Sequence, residues 1–323
     1  MALAIAAALL ACLARAEFTS SPDIGHLYEA GSYGKSLHSV KVEMMPASFV
    51  LNRFGKTVPQ FKPDDEETKK MLHLKYLTLR GLADLPALIL EVGKIPYRAT
   101  YFTKSEFTAD VKAQLEFGRL PVLVVGEHEL SQSGSIVRFL AAKAGLAGTS
   151  DLEMARVDAL FETYKDLFVS HGAWGKSFDV EALKQGPTKG EPVIHYRDTS
   201  NRGESTSFQR AAAALRTFED LLMGSTSGFL VGSNLSYVDL ALWAKLHDLG
   251  QADQLGPGWA DRLALPHLGA FATRLYETSL ELASFVASGR RMPRVRLVDG
   301  DYVYQKEEQV PVPAVPKISA SEL

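Results

Sequence analysis

Tyr76 stands four residues ahead of an Arg80-Gly81 pair, at the end of the alternating run LHLKYLTL. A phenol at the end of a strand can donate a hydrogen bond to an anion, and a hydrogen bond to the charged form favours that form. Most of the eleven tyrosines must be packing residues, and taken by itself Tyr76 reads as one of them. Further along, Gln132-Ser133 precedes an apolar helical pattern. An exposed helix N-terminus offers free backbone donors and a positive dipole end, which suits a carboxylate, although Ser133 is equally placed as an ordinary N-cap. Pro121 opens the apolar run PVLVV, where a proline at a strand's first position is tolerated. Asp158 and Glu162 lie four apart and so share a helix face, either as ligand-binding groups or as a solvated acidic surface.

Other chemistries are excluded by what is missing. The single cysteine, Cys12, lies in an N-terminal apolar run; without that run there is no thiol for a disulfide, a redox pair, a nucleophile or a thiolate metal site. The eight histidines are scattered without metal-ligand spacing, so no metal is expected. A net charge of −3 with no long basic stripe gives no footprint for nucleic acid.

The elements that must hold these residues fall into two textures. A strand over LHLKYLTL is followed by a helix over LADLPALILEVGK, with Leu82, Leu85, Leu88, Ile89 and Val92 on one face. A strand over 95–102, a short helix near 109–115, the strand LPVLVV, a hairpin partner after Gly126 and a helix closed by Gly145 complete a β-α-β-α-β-β-α order. That order matches the thioredoxin layer plan. After Gly148 the strand signals stop. Helices are expected over 151–171, 208–223, from an N-cap at Ser236 backed by Asp239, and over 268–287. The polar stretch 172–206 between the first two reads as an insertion loop, and the chain from Arg290 reads as an extended tail.

The expected organisation is therefore a 71–149 thioredoxin-like domain and a 150–289 all-helical domain, preceded by a 17–70 extension and followed by a 290–323 tail. Residues 1–16 are apolar and end in Ala14-Arg15-Ala16, which suits a cleaved secretory signal and is too short to span a bilayer. The n-region has no Lys or Arg, so a plastid or cytoplasmic destination stays open. No stable transmembrane anchor is expected.

Four blocks in order, LKYLTLRG (74–81), FGRLPVL (117–123), LSQSGSIVRFL (130–140) and VGSNLSYVD (231–239), resemble the glutathione transferase family, most closely its sigma-like class with the prostaglandin D synthases and S-crystallins. The resemblance spans about two thirds of the chain and is more specific for the fold than for the activity. It implies the glutathione transferase fold, a homodimer, glutathione as co-substrate, and conjugation of the glutathione thiolate to a small electrophile. A free thiol near pKa 8.5 is only a few per cent ionised at neutral pH, so the Tyr76 phenol would stabilise the thiolate. Arg80 would orient Tyr76 or add its charge; alternatively it covers the end of the sheet. The backbone of Leu120, turned by a cis bond to Pro121, would pair with the tripeptide. Gln132 and Ser133 would hold its γ-glutamyl end, Lys112 its glycyl carboxylate, with Arg119 as a further donor. Glu162 would reach the amino group of a glutathione on the neighbouring subunit.

Two departures from the family pattern stand out. Thr108 replaces the family's loop tryptophan, and the 172–206 insertion falls near the expected second-substrate pocket. They leave open a weakly active or structural glutathione-binding protein, and a glutathione-dependent isomerase is a variant of the same thiolate chemistry.

Overall fold

The computed structural model describes residues 71–169, 178–186, 206–298 and 301–305. The expected signal at 1–16, the expected 17–70 extension, most of the expected 172–206 insertion and the end of the expected 290–323 tail lie outside the described residues. A four-stranded mixed sheet lies on the N-terminal side of the chain and a helical region on the C-terminal side, as the expected α/β-then-α order requires. By packing it divides into two compact units, 71–136 with 285–305 and 137–284 among the described residues.

In the first unit, β1 (Leu72–Leu77), β2 (Tyr97–Phe102), β3 (Val122–Val125) and β4 (His128–Ser131) form a sheet in the order β2-β1-β3-β4. β1 runs parallel to β2 and antiparallel to β3, which pairs antiparallel with β4. The period-two pattern buries Leu72, Leu74 and Tyr76 on one face and leaves His73 and Lys75 half-buried on the other. His73 Nε2 lies 2.8 Å from Thr100 Oγ1. Burial, then the charges of Arg98 and Lys75, push its imidazole down to about 3, so it stays neutral.

Helix α1 (Asp84–Val92) packs Leu88, Ile89 and Leu90 completely. Its third residue, Pro86, falls where a missing N–H breaks no intrahelical bond. The expected apolar face is rotated: a 3₁₀ turn over Gly81–Ala83 precedes the helix and leaves Leu82 exposed, while Ala83, Pro86 and Ala87 are buried instead. Helix α2 (Ala109–Ala113) and the first residues of α3 (Ser133–Ala144) complete this side.

The second unit is helical: α4 (Asp151–Tyr164), a π-helical turn over Lys165–Val169, α5 (Val180–Gln185), α6 (Ser207–Met223), α7 (Tyr237–Leu249), α8 (Trp259–Arg262), α9 (Pro266–Thr278) and most of α10 (Leu280–Ala287). Its ends are held by side chains. Thr206 and Gln209 form a reciprocal capping box at the start of α6. Asp239, fully buried, accepts from Ser236 N–H at 2.9 Å, Ser236 Oγ at 2.5 Å and Leu230 N–H at 2.8 Å. Glu219, also buried, accepts from the backbone of His267 and Leu268 and so caps α9 from a neighbouring helix.

Three expectations change. The insertion loop contains α5, capped by Asp179, whose carboxylate accepts from Ala182 N–H at 2.9 Å. The last long helix is two, broken at Ser279, which takes an extended conformation and caps α10. Within the expected 290–323 tail, β5 (Val295–Val298) and β6 (Asp301–Tyr304) form an antiparallel hairpin belonging to the first unit.

Candidate active site

The first unit brings together Tyr76, Arg80, Lys112, Arg119, Leu120, Pro121, Gln132 and Ser133 within one compact body; Glu162 belongs to the second. Tyr76 is the fifth residue of β1, paired in register with Tyr101, and is almost wholly buried. Its Oη accepts a hydrogen bond from Leu82 N–H at 2.9 Å. The chain leaves β1, turns at Gly81 and passes back over the ring. A Cβ on Gly81 would lie 2.5 Å from Tyr76 Oη, and the residue has φ of +39°, so only glycine fits. A phenol oxygen that receives a backbone N–H is polarised into a stronger donor through its own proton.

Arg80 is buried, and its Nε donates to Met292 O at 3.0 Å and lies 3.8 Å from Asp84 Oδ1. Asp84 is gripped by Arg291 through both carboxylate oxygens, at 2.8 and 2.6 Å. These contacts fix Arg80 in the loop that carries Leu82. Sequence reading missed Leu82, Asp84 and Arg291. The spacing of Arg80 and Asp84, four apart, was a usable signal; nothing marks Arg291 as their partner across 207 positions.

The Leu120–Pro121 bond is cis, as expected. Leu120 precedes the ladder, which begins with Val122 opposite Lys75 and Ser131, and its backbone enters no backbone hydrogen bond among the described residues. Gln132 has φ of +70° and precedes α3, with its carbonyl accepting from Ile136 N–H at 3.0 Å. For a residue other than glycine that conformation costs on the order of 1–2 kcal/mol. Such strain gathers at ligand-binding clamps. Beside it, Ser131 Oγ is buried without a hydrogen-bond partner among the described residues.

Lys112 and Arg119 are exposed, the former with its ammonium 5.2 Å from the Phe107 ring centre. Thr108 serves as the N-cap of α2, accepting from Val111 N–H at 3.4 Å, a local role that a tryptophan could not fill.

In the second unit, Glu162 accepts from Lys165 Nζ at 2.9 Å and from Arg138. Arg138 Nε also donates to Asp158 at 2.6 Å, and Tyr237 Oη donates to the same oxygen at 2.9 Å. The Lys165 bond holds Glu162 below the usual carboxylate range, against partial burial and with help from Arg138. Burial opposes the Asp158 charge, yet its bonds from Arg138 and Tyr237 outweigh it and keep that carboxyl low as well. Among the described residues no three His, Cys, Asp or Glu side chains converge as a metal site requires, and no helix is long and apolar enough to cross a membrane.

A family model described as the C-terminal domain of glutathione S-transferase matches residues 197–274. Glutathione S-transferase 2 of Onchocerca volvulus is 30% identical over 202 residues, covering 62% of this chain and 86% of that protein. The chain belongs to the glutathione S-transferase family. Two solved members of that family are similar to this transferase throughout the shared fold. A Nu-class enzyme of Haemonchus contortus superposes with a TM-score of 0.50 at 27% identity, covering 67% of this chain and 96% of its own. A Pi-class enzyme of Onchocerca volvulus gives 0.50 at 28%, covering 66% and 91%. In this glutathione S-transferase, Tyr76, cis-Pro121 and the left-handed Gln132 all lie in the sheet-containing unit.

Proposed function

We propose that the chain conjugates glutathione to a small electrophile, with the Tyr76 phenol donating a hydrogen bond to the glutathione sulfur and so stabilising the thiolate. One observation carries this reading: Tyr76 Oη accepts the Leu82 N–H at 2.9 Å, which anchors the phenol at the end of β1 and strengthens it as a donor. Around it the remaining groups take the ends of the tripeptide. Leu120, ahead of the β3 ladder, offers strand-like backbone pairing, with cis-Pro121 shaping that turn. Gln132 and Ser133 at the start of α3 receive the γ-glutamyl carboxylate, and the strained φ of Gln132 supports a clamp there. Lys112 and Arg119, both exposed cations, meet the glycyl carboxylate.

Arg80 acts by holding the loop over Tyr76. Glu162 is engaged by Arg138 and Lys165 within its own chain, and its two oxygens keep acceptor capacity for an amino group arriving from a second subunit. A homodimer is supported by large apolar side chains left exposed, notably Phe117 at 57% and Leu152 at 80%. The sigma-like assignment rests on the four sequence blocks, while the two solved relatives described above are of the Nu and Pi classes. The apolar 1–16 run supports entry into the secretory pathway.

The test compares wild type with Tyr76→Phe, following conjugation of a generic aryl halide and the ultraviolet absorbance of bound thiolate. The expected result is a roughly 100-fold loss of rate, the scale for removing one donor from a developing anion. Glutathione affinity should stay within about twofold, because the lost bond is made to the ionised form. Equal rates would remove Tyr76 from the mechanism. Retention on immobilised glutathione without conjugation by the wild type would instead indicate a binding protein of the same fold.

A further inference from the structure

We propose that the run Arg290–Arg294 and the hairpin β5–β6 form a strap that positions Tyr76, with Arg291 and Tyr304 as its two clamps. The proposal rests on the reading of Tyr76 as the thiolate donor.

The loop from Thr78 to Asp84 has no regular structure beyond one 3₁₀ turn, yet it carries the Leu82 N–H that anchors the phenol. The strap holds it along its length. Tyr304 Oη lies 3.0 Å from Thr78 Oγ1, at the point where the chain leaves β1. Arg80 N–H donates to Pro293 O at 2.8 Å, and Arg80 Nε to Met292 O at 3.0 Å. Arg291 takes both oxygens of Asp84, the first residue of α1. At the far end of α1, Arg290 pairs with both oxygens of Glu91, the helix's next-to-last residue, at 2.6 and 3.0 Å. Gln305 N–H donates to Arg294 O at 2.9 Å and ties the chain after β6 to the residue that ends the run and precedes β5.

Bidentate arginine–carboxylate pairs fix direction as well as distance, so Arg291 sets where Asp84, and with it the turn before α1, must lie. The close approach of Gly81 to Tyr76 leaves the loop little freedom on that side. A small outward movement of the loop carries the Leu82 N–H away from Tyr76 Oη and weakens the phenol as a donor. Arg291 and Tyr304 are positioning residues; neither need touch glutathione.

The experiment uses the full chain with Tyr304→Phe, which removes one hydroxyl, and Arg291→Lys, which keeps the charge but loses the fork. Three quantities are measured in each: the pH dependence of thiolate absorbance in the glutathione complex, kcat and KM for glutathione, and hydrogen exchange at the Leu82 amide. In Tyr304→Phe the thiolate pKa should rise by about half a unit, a roughly threefold change. kcat below that pKa should fall in step, KM should hold, and the Leu82 amide should exchange faster. Arg291→Lys should shift all three further, by about tenfold in kcat. Placed in a Tyr76→Phe background, both changes should lose their effect on kcat, because they act through the phenol. A lowered melting temperature with unchanged thiolate pKa and unchanged Leu82 exchange would make the strap merely structural and overturn the proposal. The same kcat losses persisting without the Tyr76 hydroxyl would also overturn it. If Tyr76→Phe alone leaves rate and pKa intact, the reading of Tyr76 fails and the strap's role fails with it; if only the strap variants are silent, the strap fails alone.

Discussion

Each unit has a cluster in which arginine meets carboxylate, and the two differ in burial. In the sheet-containing unit, Asp84 is held by Arg291 and flanked by Arg80, all three nearly inaccessible to water. In the helical unit, Arg138 bridges Asp158 and Glu162 with roughly two fifths of each side chain exposed. Both are hydrogen-bonded ion pairs. Their consequences differ, because removing one partner from a buried pair leaves a charge without solvent, whereas water takes over at the half-exposed one.

The comparison breaks most sharply at Arg291. Replacing it by Ala should destabilise the chain by about 3–5 kcal/mol in urea unfolding. A loss under about 1 kcal/mol would mean that burial does not set the scale. Glu219 sharpens the same point inside the helical unit, where it is as buried as Asp84 and accepts from two backbone amides of α9. Glu219→Ala should cost about 2–3 kcal/mol by stranding those amides, so a near-neutral result would tie the difference to the unit and not to burial.

Arg138→Ala should have the smallest effect, about 1 kcal/mol or less at neutral pH, and less again in high salt. Its pH signature follows from the depressed carboxyls. Asp158 and Glu162 contribute stability above the unfolded carboxylate range and lose it as pH falls through their folded values. Removing Arg138 should therefore flatten the acid limb of the stability profile, measured by thermal melts from neutral pH downward.

Much of the fold was legible because period and punctuation agree. LHLKYLTL alternates as a half-buried strand must, and Gly145 closes α3 where the apolar pattern ends. Local chemistry also told against two expectations. Ser279 can cap as well as continue a helix, and the backbone took the cap. VRLVDGDYVY carries an Asp-Gly turn signal between alternating runs, the strongest short-range hint of a hairpin, yet its charged and Pro-rich surroundings suggest a tail. The candidate site was readable as far as its named side chains. Its supports were not: Leu82 acts through a backbone amide that any residue has, and Arg291 meets Asp84 only once the chain has folded.

Gly81 carries no reactive group, yet it is as particular to this site as the tyrosine it faces. The smallest side chain placed there would occupy space already taken by the phenol oxygen. The left-handed φ of the turn and the Leu79 side chain, which the same Cβ would meet at 2.6 Å, hold the position to glycine even without the phenol. Its contribution to the site is therefore an atom it does not have.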